Sequence, residues 1–510
     1  MISKLPSMRS AVVPAMLRPG LLPALLLAGC AVGPNYHRPP APVPAHYKSE
    51  VPAQPPAASS TAPASSTAPA AQSAPAAPPD AWWTLFHDPM LDQLVGQVEV
   101  SNQNLAAASA AYMQAIAAVG EARAAFFPTF TANFSATRVG GSSRASAVPA
   151  GGGGLTVNPA GLSGGNTTLY NASAGVSNWE LDVWGRLRRS LENARETAHA
   201  QLADLASARL SAQTQLATAY LQLREADAER RLVTATVDAY SRNLQITRNR
   251  YAVGTAPKTD VLQAETQWYS AQQQEASLRL SRAQLENAIA ALVGAPASDF
   301  KIAERDTWQI PIPQIPPGLP SELLRRRPDV VAAEHLLAAA NANIGVQEAA
   351  YFPQLTLTGT VGFVASALPH LFEASNRSTA LGAGAAQTIF DFGLTRARVE
   401  QARQAYDQAL ATWRGTLLTA FQSVENDLVA ADLDRRQEEL LRSASQAADE
   451  TERLTLNEYK AGTVDYTTVV VAQAAALSAR RQLAQMIVSE QTNAVALVTS
   501  LGGGWTPAPH

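Results

Sequence analysis

Residues that commonly carry catalysis or bind metals are sparse in this chain and share no useful spacing. The seven histidines include no His-x-x-x-His pair, and the single cysteine, Cys30, excludes a multi-cysteine zinc or iron-sulfur site. Gly151 to Gly154 lack the Lys-Ser/Thr that completes a phosphate-binding loop. Acidic residues such as Asp432 and Asp434 lie among arginines on a predicted helix, which is typical of a solvated face. We therefore expect no catalytic residues, no metal and no cofactor, and hence no enzyme.

Cys30 is the one residue for which the sequence predicts covalent chemistry. Basic residues precede the apolar stretch Gly20–Ala28, which is too short to span a bilayer and fits a signal peptide over 1–29. The sequence Leu27–Cys30 is similar to the lipobox of bacterial lipoproteins, whose cysteine is acylated; the alternative is an ordinary buried thiol. We predict a lipid on Cys30, because the basic residues, the apolar stretch and the lipobox stand in the order of a lipoprotein signal. Acyl chains would anchor the chain by about 0.8 kcal/mol per methylene. With Ala31 and no aspartate after the cysteine, the chain resembles lipoproteins that are sorted to the outer membrane.

Composition narrows the class of protein further. The balance of 39 basic and 42 acidic residues excludes the basic surface of a nucleic-acid-binding domain. Alanine supplies much of the hydrophobic content, whereas only 6% of residues are aromatic, which favours long, closely packed helices. Residues 30–80 are expected to form a lipidated tether, since 39–80 are almost entirely Pro, Ala, Ser and Thr, with folded structure beginning near Asp80.

Two internal repeats organise the remaining sequence, over 81–300 and 329–501, with a linker at 301–328 and a C-terminal tail at 502–510. Three motifs of the first repeat recur in the second: Phe127-Pro128 as Phe352-Pro353, Trp184-Gly185 as Phe392-Gly393, and Tyr251–Thr255 as Tyr459–Thr463. The first repeat is longer by a Gly/Ser-rich segment around Gly140–Gly165, which is typical of an exposed loop.

Each repeat is expected to carry a β-hairpin, at about 129–181 and about 354–390. In the first, Phe130, Ala132 and Phe134 alternate with Thr131 and Asn133, and the second shows the same period of two. This alternation fits either a sheet over a protein core or a membrane barrel with a polar lumen. Four strands cannot close a barrel, whose lower limit is about eight, so a membrane sheet requires several chains. A trimer would supply about twelve strands.

Long helices follow each hairpin. No proline interrupts Gly185–Arg250 or Gly393–Lys460, and apolar residues of the second run recur at intervals of three and four. At 1.5 Å per residue, each helix would extend roughly 100 Å. Return helices are predicted over Asp260–Val293 and Thr467–Leu501, giving antiparallel helical hairpins whose tips lie far from the strands.

Several separate motifs make the chain resemble a known family. They are Trp82–Pro89, Trp179–Arg186, Leu319–Asp329, Ala340–Gly345 and, close to Cys30, Gly33–Tyr36. In this order they resemble the outer-membrane factor family and its lipoprotein branch, over essentially the whole mature chain apart from the Pro/Ala tether. The resemblance implies a mainly α fold with a membrane β-barrel, in which a trimer forms a 12-stranded barrel continued by a periplasmic α-helical barrel.

The function implied by this resemblance is passive export across the outer membrane. A channel-tunnel of this kind takes drugs or toxic compounds from an inner-membrane transporter, here of the resistance-nodulation-division type, through a periplasmic adaptor. The implied partners are thus two further copies of the chain, the adaptor, the transporter and outer-membrane lipid. The alternatives are a type I-like protein secretion duct and a lipoprotein coiled-coil tether without a pore. Polar strand faces favour a channel over a tether, which needs no threonine-lined lumen.

The turns at the helix tips are the candidates for a periplasmic gate. In the resembling family, tip tyrosines and aspartates form contacts between chains and a narrow acidic ring. The matching or neighbouring positions here are Tyr251, Gly254, Asp260, Tyr459, Gly462, Asp465, Thr468 and Val471. Thr468 and Val471 stand where relatives often carry aspartates, and Asp465 lies close by as a substitute. The sequence therefore leaves two alternatives, an acidic constriction or a partly apolar one. A simpler role for Gly254 and Gly462 is to end the helices.

Overall fold

The computed structural model describes residues 31–41, 43–44, 46–48, 81–139, 167–305, 310–313, 315, 320 and 323–505. The predicted signal peptide, Cys30 and the segment Gly140–Gly165 lie outside these residues. The α-helices are α1 (Pro89–Ser101), α2 (Gln103–Ala124), α3 (Arg186–Ala252), α4 (Lys258–Leu292), α5 (Leu323–Arg326), α6 (Pro328–Glu348), α7 (Leu394–Ala461) and α8 (Tyr466–Ser500), and the strands are β1 (Phe130–Val139), β2 (Thr167–Leu181), β3 (Gln354–Ala365) and β4 (Arg377–Ala386). The prediction of a mainly helical chain with antiparallel strands in each repeat is confirmed.

Two very long helices dominate the fold. α3 has 67 residues and α7 has 68, so each extends about 100 Å at the usual helical rise. The apolar seam predicted from the sequence is buried along the middle of α7, at Trp413, Leu417 and Val424. Acidic residues on the same helix form exposed ion pairs one turn apart, as between Asp432 and Arg436. Among the described helices, none combines the length and the hydropathy needed to cross a membrane.

The four strands form one antiparallel sheet in the order β1-β2-β3-β4. β2 joins the first repeat to the second, with Val176 opposite Gly359 and Trp179 opposite Leu357. A β-bulge lies between these pairs, because β2 has one more residue there than β3, and Asn178 within it has a φ of 64°. The described chain leaves β1 and β4 as the outer strands.

The chain folds into two compact units, which we describe separately. The strand unit contains residues up to His37, Ala118–Ala194 and Ala339–Tyr406. The helical unit contains Arg38–Ala117, Arg195–Ala338 and Asp407–His510.

A buried cluster of charges, the Asp227 network, holds the helical unit together beside its main apolar core. Asp227 is 2% exposed and accepts hydrogen bonds from Arg224 Nη1 at 3.0 Å and from Arg282 Nε at 2.7 Å. The two guanidinium groups also donate to the backbone carbonyls of Ala303 and Ile302, at 2.9 and 2.6 Å. Charge pairing and hydrogen bonding together offset the cost of burying these groups, and they fix the segment that follows α4.

Asp88 extends the same set of contacts to the start of α1. Its Oδ1 caps the helix by accepting from the Met90 backbone N–H at 2.9 Å. Its Oδ2 accepts from the Tyr220 hydroxyl at 2.7 Å and from Arg305 Nη1 at 2.9 Å. The Trp82–Pro89 motif therefore contains, at Asp88, a carboxylate that ties α1 to α3.

Glu225, on α3, makes the stability of the helical unit depend on pH. Burial and the nearby Glu229 carboxylate raise the pKa of Glu225 from 4.5 to about 7, against an opposing effect of Arg481. Because the unfolded chain ionises this group at lower pH, folding loses stability as pH rises from 4.5 to about 7 and regains none above it. We expect Glu225→Gln to remove this dependence, giving a gain of about 2 kcal/mol at pH 8 once the shift is discounted for the partial solvent exposure of the carboxyl. Thermal unfolding of both proteins at pH 5 and pH 8 measures it; equal pH dependence in the two would contradict it.

The expected tether over 30–80 needs correction in its first part. Tyr47 is 1% exposed and lies in an apolar cluster with Leu417, Val424 and neighbouring residues of the helical unit. The next backbone N–H, that of Lys48, donates to Glu425 Oε1 at 2.6 Å. Folded structure therefore precedes Asp80, because one aromatic side chain can be buried within a segment whose average composition is that of a linker.

Candidate gate at the helix tips

Gly254 and Gly462 end the two long helices in the same way. Both have positive φ, 77° and 80°, and each donates its N–H to a tyrosine carbonyl three residues earlier, Tyr251 or Tyr459. The following threonine N–H donates to the carbonyl five residues earlier in both turns. These bonds define a Schellman motif, so the predicted role of the glycines in ending the helices is confirmed. The threonine hydroxyls also donate to those carbonyls, at 3.0 and 2.9 Å, which accounts for the repeated Gly-Thr pair.

Tyr251 and Tyr459 occupy equivalent positions but have different surroundings. Tyr251 is 48% exposed, whereas Tyr459 is 4% exposed and packs edge-on against Tyr466 at 5.2 Å between ring centroids. Leu244, Ala264 and Val469 complete this apolar cluster. The Tyr459 hydroxyl is buried without a hydrogen-bond partner among the described residues.

Arg250 links the two tips directly. Its Nη1 donates to the Tyr459 carbonyl at 2.8 Å, and its guanidinium carbon lies 4.5 Å from the centroid of the Tyr459 ring. This combines a charged hydrogen bond with a cation–π contact. Sequence reasoning missed Arg250, although the repeat comparison contained a signal: the equivalent residue is Glu458, of opposite charge.

Asp260 and Asp465 lie at the starts of the return helices, and the charge of Asp465 acts on Asp260. Burial and the Asp465 carboxylate raise the pKa of Asp260, against an opposing effect of Arg250. Hydrogen bonds from the Thr468 hydroxyl and backbone N–H lower the pKa of Asp465. Asp465 is the N-cap of α8, accepting from Thr468 N at 3.1 Å, whereas Pro257 precedes α4 without a side-chain cap.

The structure brings together some of the predicted gate residues and not others. Arg250 contacts Tyr459 and lies close enough to Asp260 to affect its carboxyl. Asp465 lies near Asp260 and accepts from the Thr468 hydroxyl at 2.6 Å. Val471 is 64% exposed. The described tips therefore carry Asp260, Asp465 and Arg250 together with exposed apolar side chains such as Val471.

A second candidate region is the segment immediately after Cys30. Val32 donates its N–H to the Trp184 carbonyl at 2.9 Å, at the junction between β2 and α3. Arg189, 4% exposed, donates to the carbonyls of Val32 and Gly33 at 3.2 and 3.0 Å, and to Asn35 Oδ1 at 2.8 Å. The Gly33–Tyr36 motif is thus bound to the folded strand unit.

Gly33 and Gly345 make this docking possible. Gly33 has a φ of +95°, and a Cβ on it would lie 2.4 Å from the Gly345 Cα. A Cβ on Gly345 would lie 2.8 Å from the Val32 carbonyl oxygen. The Asn341 amide also donates to the Pro34 carbonyl at 2.9 Å, so the two sequence motifs are in direct contact.

Replacing Arg189 with alanine is expected to release the segment after Cys30. The substitution removes three donated bonds to Val32, Gly33 and Asn35, each contributing about 1.5–3 kcal/mol for a charged donor. Chymotrypsin cleavage after Tyr36 should become at least tenfold faster than in the parent chain. Arg403→Ala, which removes an exposed pair with Glu348, is the matched control. Equal cleavage rates in the parent and Arg189→Ala would contradict the assignment.

Among the described residues, no group of three or more His, Cys, Asp or Glu side chains is arranged to hold a metal ion.

The fold is that of a duplicated chain with a single-layered sheet and paired long helices, a class found in outer-membrane channels.

The sequence profile of the family described as outer membrane efflux protein matches residues 94–295 and 319–503. The toluene efflux pump outer membrane protein TtgC of Pseudomonas putida is 33% identical over 484 residues, covering 94% of each chain. The outer membrane protein OprJ of Pseudomonas aeruginosa is 30% identical over 503 residues, covering 96% of each. The solved outer-membrane channel OprN superposes with a TM-score of 0.79 at 29% identity, over 94% of this chain and 100% of that one. The chain belongs to the outer membrane efflux protein family, as the motifs indicated.

Proposed function

We propose that this chain is one subunit of a homotrimeric outer-membrane channel through which an efflux pump releases its substrates. The observation that carries the proposal is the four-stranded sheet, whose outer strands β1 and β4 have no neighbour within the described chain. An unpaired strand edge in lipid costs several kcal/mol per backbone group, so the sheet requires further strands. Three copies supply 12, enough for a closed barrel in the outer membrane.

Exposure of apolar surface supports the same assembly. Leu381 on β4 and Phe130 on β1 are 94% and 78% exposed in the single chain. α2 is rich in alanine, yet none of its side chains is buried, and Met113 is 59% exposed. Surfaces of this kind need lipid or another copy of the chain to cover them. We assign α2 to the wall of a helical barrel in the periplasm, together with the long helical hairpins.

Export through such a channel is passive, so its partners supply the energy. The relatives are named as outer membrane components of efflux pumps for toluene or antibiotics. We infer that this chain likewise serves a pump for antibiotics or organic solvents, with a periplasmic adaptor and an inner-membrane transporter of the resistance-nodulation-division type.

A lipid on Cys30 is consistent with the docking of the residues that follow it. Cys30 is separated from Val32 by one residue, and Val32 binds Trp184 where β2 passes into α3. If the sheet is in the membrane, this junction lies near the bilayer surface, where acyl chains on Cys30 could insert.

We assign the periplasmic gate to the helix tips, with adaptor hairpins docking in the grooves between them. Tyr251, 48% exposed, is the tip tyrosine that a neighbouring copy or an adaptor can contact, whereas Tyr459 is buried within the chain. Asp260 and Asp465 would form the acidic part of the constriction. Replacing both with alanine should reduce cation selectivity and raise the conductance of the resting channel. Unchanged selectivity and conductance in the double variant would place the gate elsewhere.

The proposal as a whole is tested with the purified full-length chain in a planar lipid bilayer. A channel subunit gives stable single-channel currents and a particle of trimer mass in detergent. A tether without a pore gives no current at any voltage, and that result would overturn the proposed function.

A further inference from the structure

The pairing between the two repeats within one chain specifies the pairing between neighbouring chains. β2 of the first repeat pairs with β3 of the second in a defined register. The repeat motifs make β3 the counterpart of β1 and β4 the counterpart of β2. The equivalent of the β2–β3 pairing is therefore a pairing of β4 with β1. A single chain cannot form it, so it has to be made between β4 of one copy and β1 of the next. This inference rests on the proposed oligomeric channel.

The registers within the two hairpins show which residues of β4 and β1 correspond to the Val176–Gly359 pair of β2 and β3. Phe130 faces Val176 in the first hairpin, and Leu355 faces Ala385 in the second, so Ala385 is the counterpart of Val176. Gly359 is the counterpart of Phe134, by counting from the two Phe-Pro motifs. Because Val176 pairs with Gly359, Ala385 should pair with Phe134 of the neighbouring copy.

Counting from the other direction, back from the residues that precede α3 and α7, gives the same register independently. Counting back from Trp184 and Phe392 makes Gln387 the counterpart of Trp179, and Leu357 is the counterpart of Ala132. Trp179 pairs with Leu357, so Gln387 should pair with Ala132 of the neighbouring copy. Both assignments describe one continuous register, because the bulge residue of β2 has no counterpart in β4.

The faces of the strands support this register over one slipped by a single residue. It places Leu381, Ala383 and Ala385 on the same face as Phe134 and Ala136 of the neighbouring copy, which continues the apolar face of the sheet. A slip of one residue would place the apolar face of β1 beside the opposite face of β4.

The aromatic residues next to the sheet also have counterparts in the other repeat. Within the chain, Trp184 stacks on Phe352 at 4.9 Å and donates its indole N–H to the Pro353 carbonyl at 2.8 Å. The counterparts of these rings are Phe392 and Phe127, which are 92% and 66% exposed. Two rings whose equivalents stack inside the chain are thus both uncovered in it.

We propose that β4 of one copy pairs with β1 of the next in the register that sets Ala385 opposite Phe134, with Phe392 stacked on Phe127 of that neighbour. The contact recurs between all copies of the ring. It covers Ile389, 95% exposed, with Phe130 of the neighbouring copy, as Leu181 lies opposite Leu355 within the chain.

Four pairs of cysteine substitutions in the full-length chain test this register. Ala136→Cys with Ala383→Cys, and Ser135→Cys with Gly384→Cys, are in register on opposite faces of the sheet. Exchanging the partners gives two slipped pairs, Ala136→Cys with Gly384→Cys and Ser135→Cys with Ala383→Cys. Their side chains point to opposite faces and cannot meet disulfide geometry. Ala174→Cys with Val361→Cys, already paired within the chain, is the positive control for oxidation.

After mild oxidation, at least one in-register pair should give covalent dimers and trimers on a non-reducing gel, and the slipped pairs should give none. Cross-linking of a slipped pair would overturn the register. So would absence of cross-links in a protein of trimer mass whose Ala174→Cys/Val361→Cys control is oxidised. A particle of monomer mass that conducts no current would instead remove the proposed function, and the interface with it.

Phe392 variants test the aromatic part of the interface. Phe392→Ala should lower the temperature at which the trimer dissociates. Phe392→Trp should preserve or raise that temperature, because Trp184 makes the equivalent contact within the chain. A trimer insensitive to Phe392→Ala would contradict the stacking.

Discussion

Asp227→Ala should unfold the helical unit at a markedly lower temperature, with a loss of about 3–5 kcal/mol in the free energy of unfolding. Asp227 is the carboxylate shared by Arg224 and Arg282, whose side chains are 1% and 10% exposed. Its removal leaves two buried guanidinium groups with one negative charge fewer, and neither can reach bulk water without moving its helix. Thermal unfolding followed by circular dichroism measures the loss.

Asp432→Ala is the matched control, since it also removes an aspartate from an arginine pair on a long helix. Asp432 and Arg436 are 42% and 70% exposed, so this variant should stay within about 0.5 kcal/mol of the parent. Asp227→Asn keeps one acceptor and should fall between the two. Equal unfolding temperatures for Asp227→Ala and Asp432→Ala would show that burial of the network contributes nothing.

Most of the fold was accessible from periodicity and repetition. Long proline-free runs predicted α3 and α7, and alternation predicted the strands, because both patterns are local. The Asp227 network was not predicted, since it joins Arg224 on one helix, Arg282 on another and a carbonyl of Ile302. No local pattern marks such a contact. Tyr47 was missed for a related reason, as one buried ring does not alter the average composition of a linker.

At the candidate gate, the sequence indicated the turn and left its chemistry undetermined. The repeated Tyr-x-x-Gly-Thr predicted two helix ends, and the Schellman bonds at Gly254 and Gly462 follow from backbone geometry alone. Equivalent positions then suggested equivalent roles for Tyr251 and Tyr459. They differ because only Tyr459 lies under Arg250 and beside Tyr466, and packing between helices decides that.

Arg250→Ala should open the resting channel, raising the ratio of open to closed states about tenfold. The substitution removes the hydrogen bond from Arg250 to the Tyr459 carbonyl and the contact with its ring. A loss of about 1.4 kcal/mol from the closed state, modest for a charged bond at a partly buried site, corresponds to that factor. It also removes the positive charge that opposes the rise in the pKa of Asp260. Single-channel recordings at fixed voltage give the ratio directly.

Arg248→Ala provides the control at the same tip. Arg248 pairs with Glu265, and their side chains are 51% and 30% exposed, so its removal costs little. Arg250→Lys keeps the charge but not the planar group that stacks on Tyr459, and should open the channel less than alanine does. If Arg248→Ala opens the channel as much as Arg250→Ala, net charge at the tip controls closure and the link to Tyr459 does not. The two variants remove the same charge two residues apart, so a difference between them isolates that link.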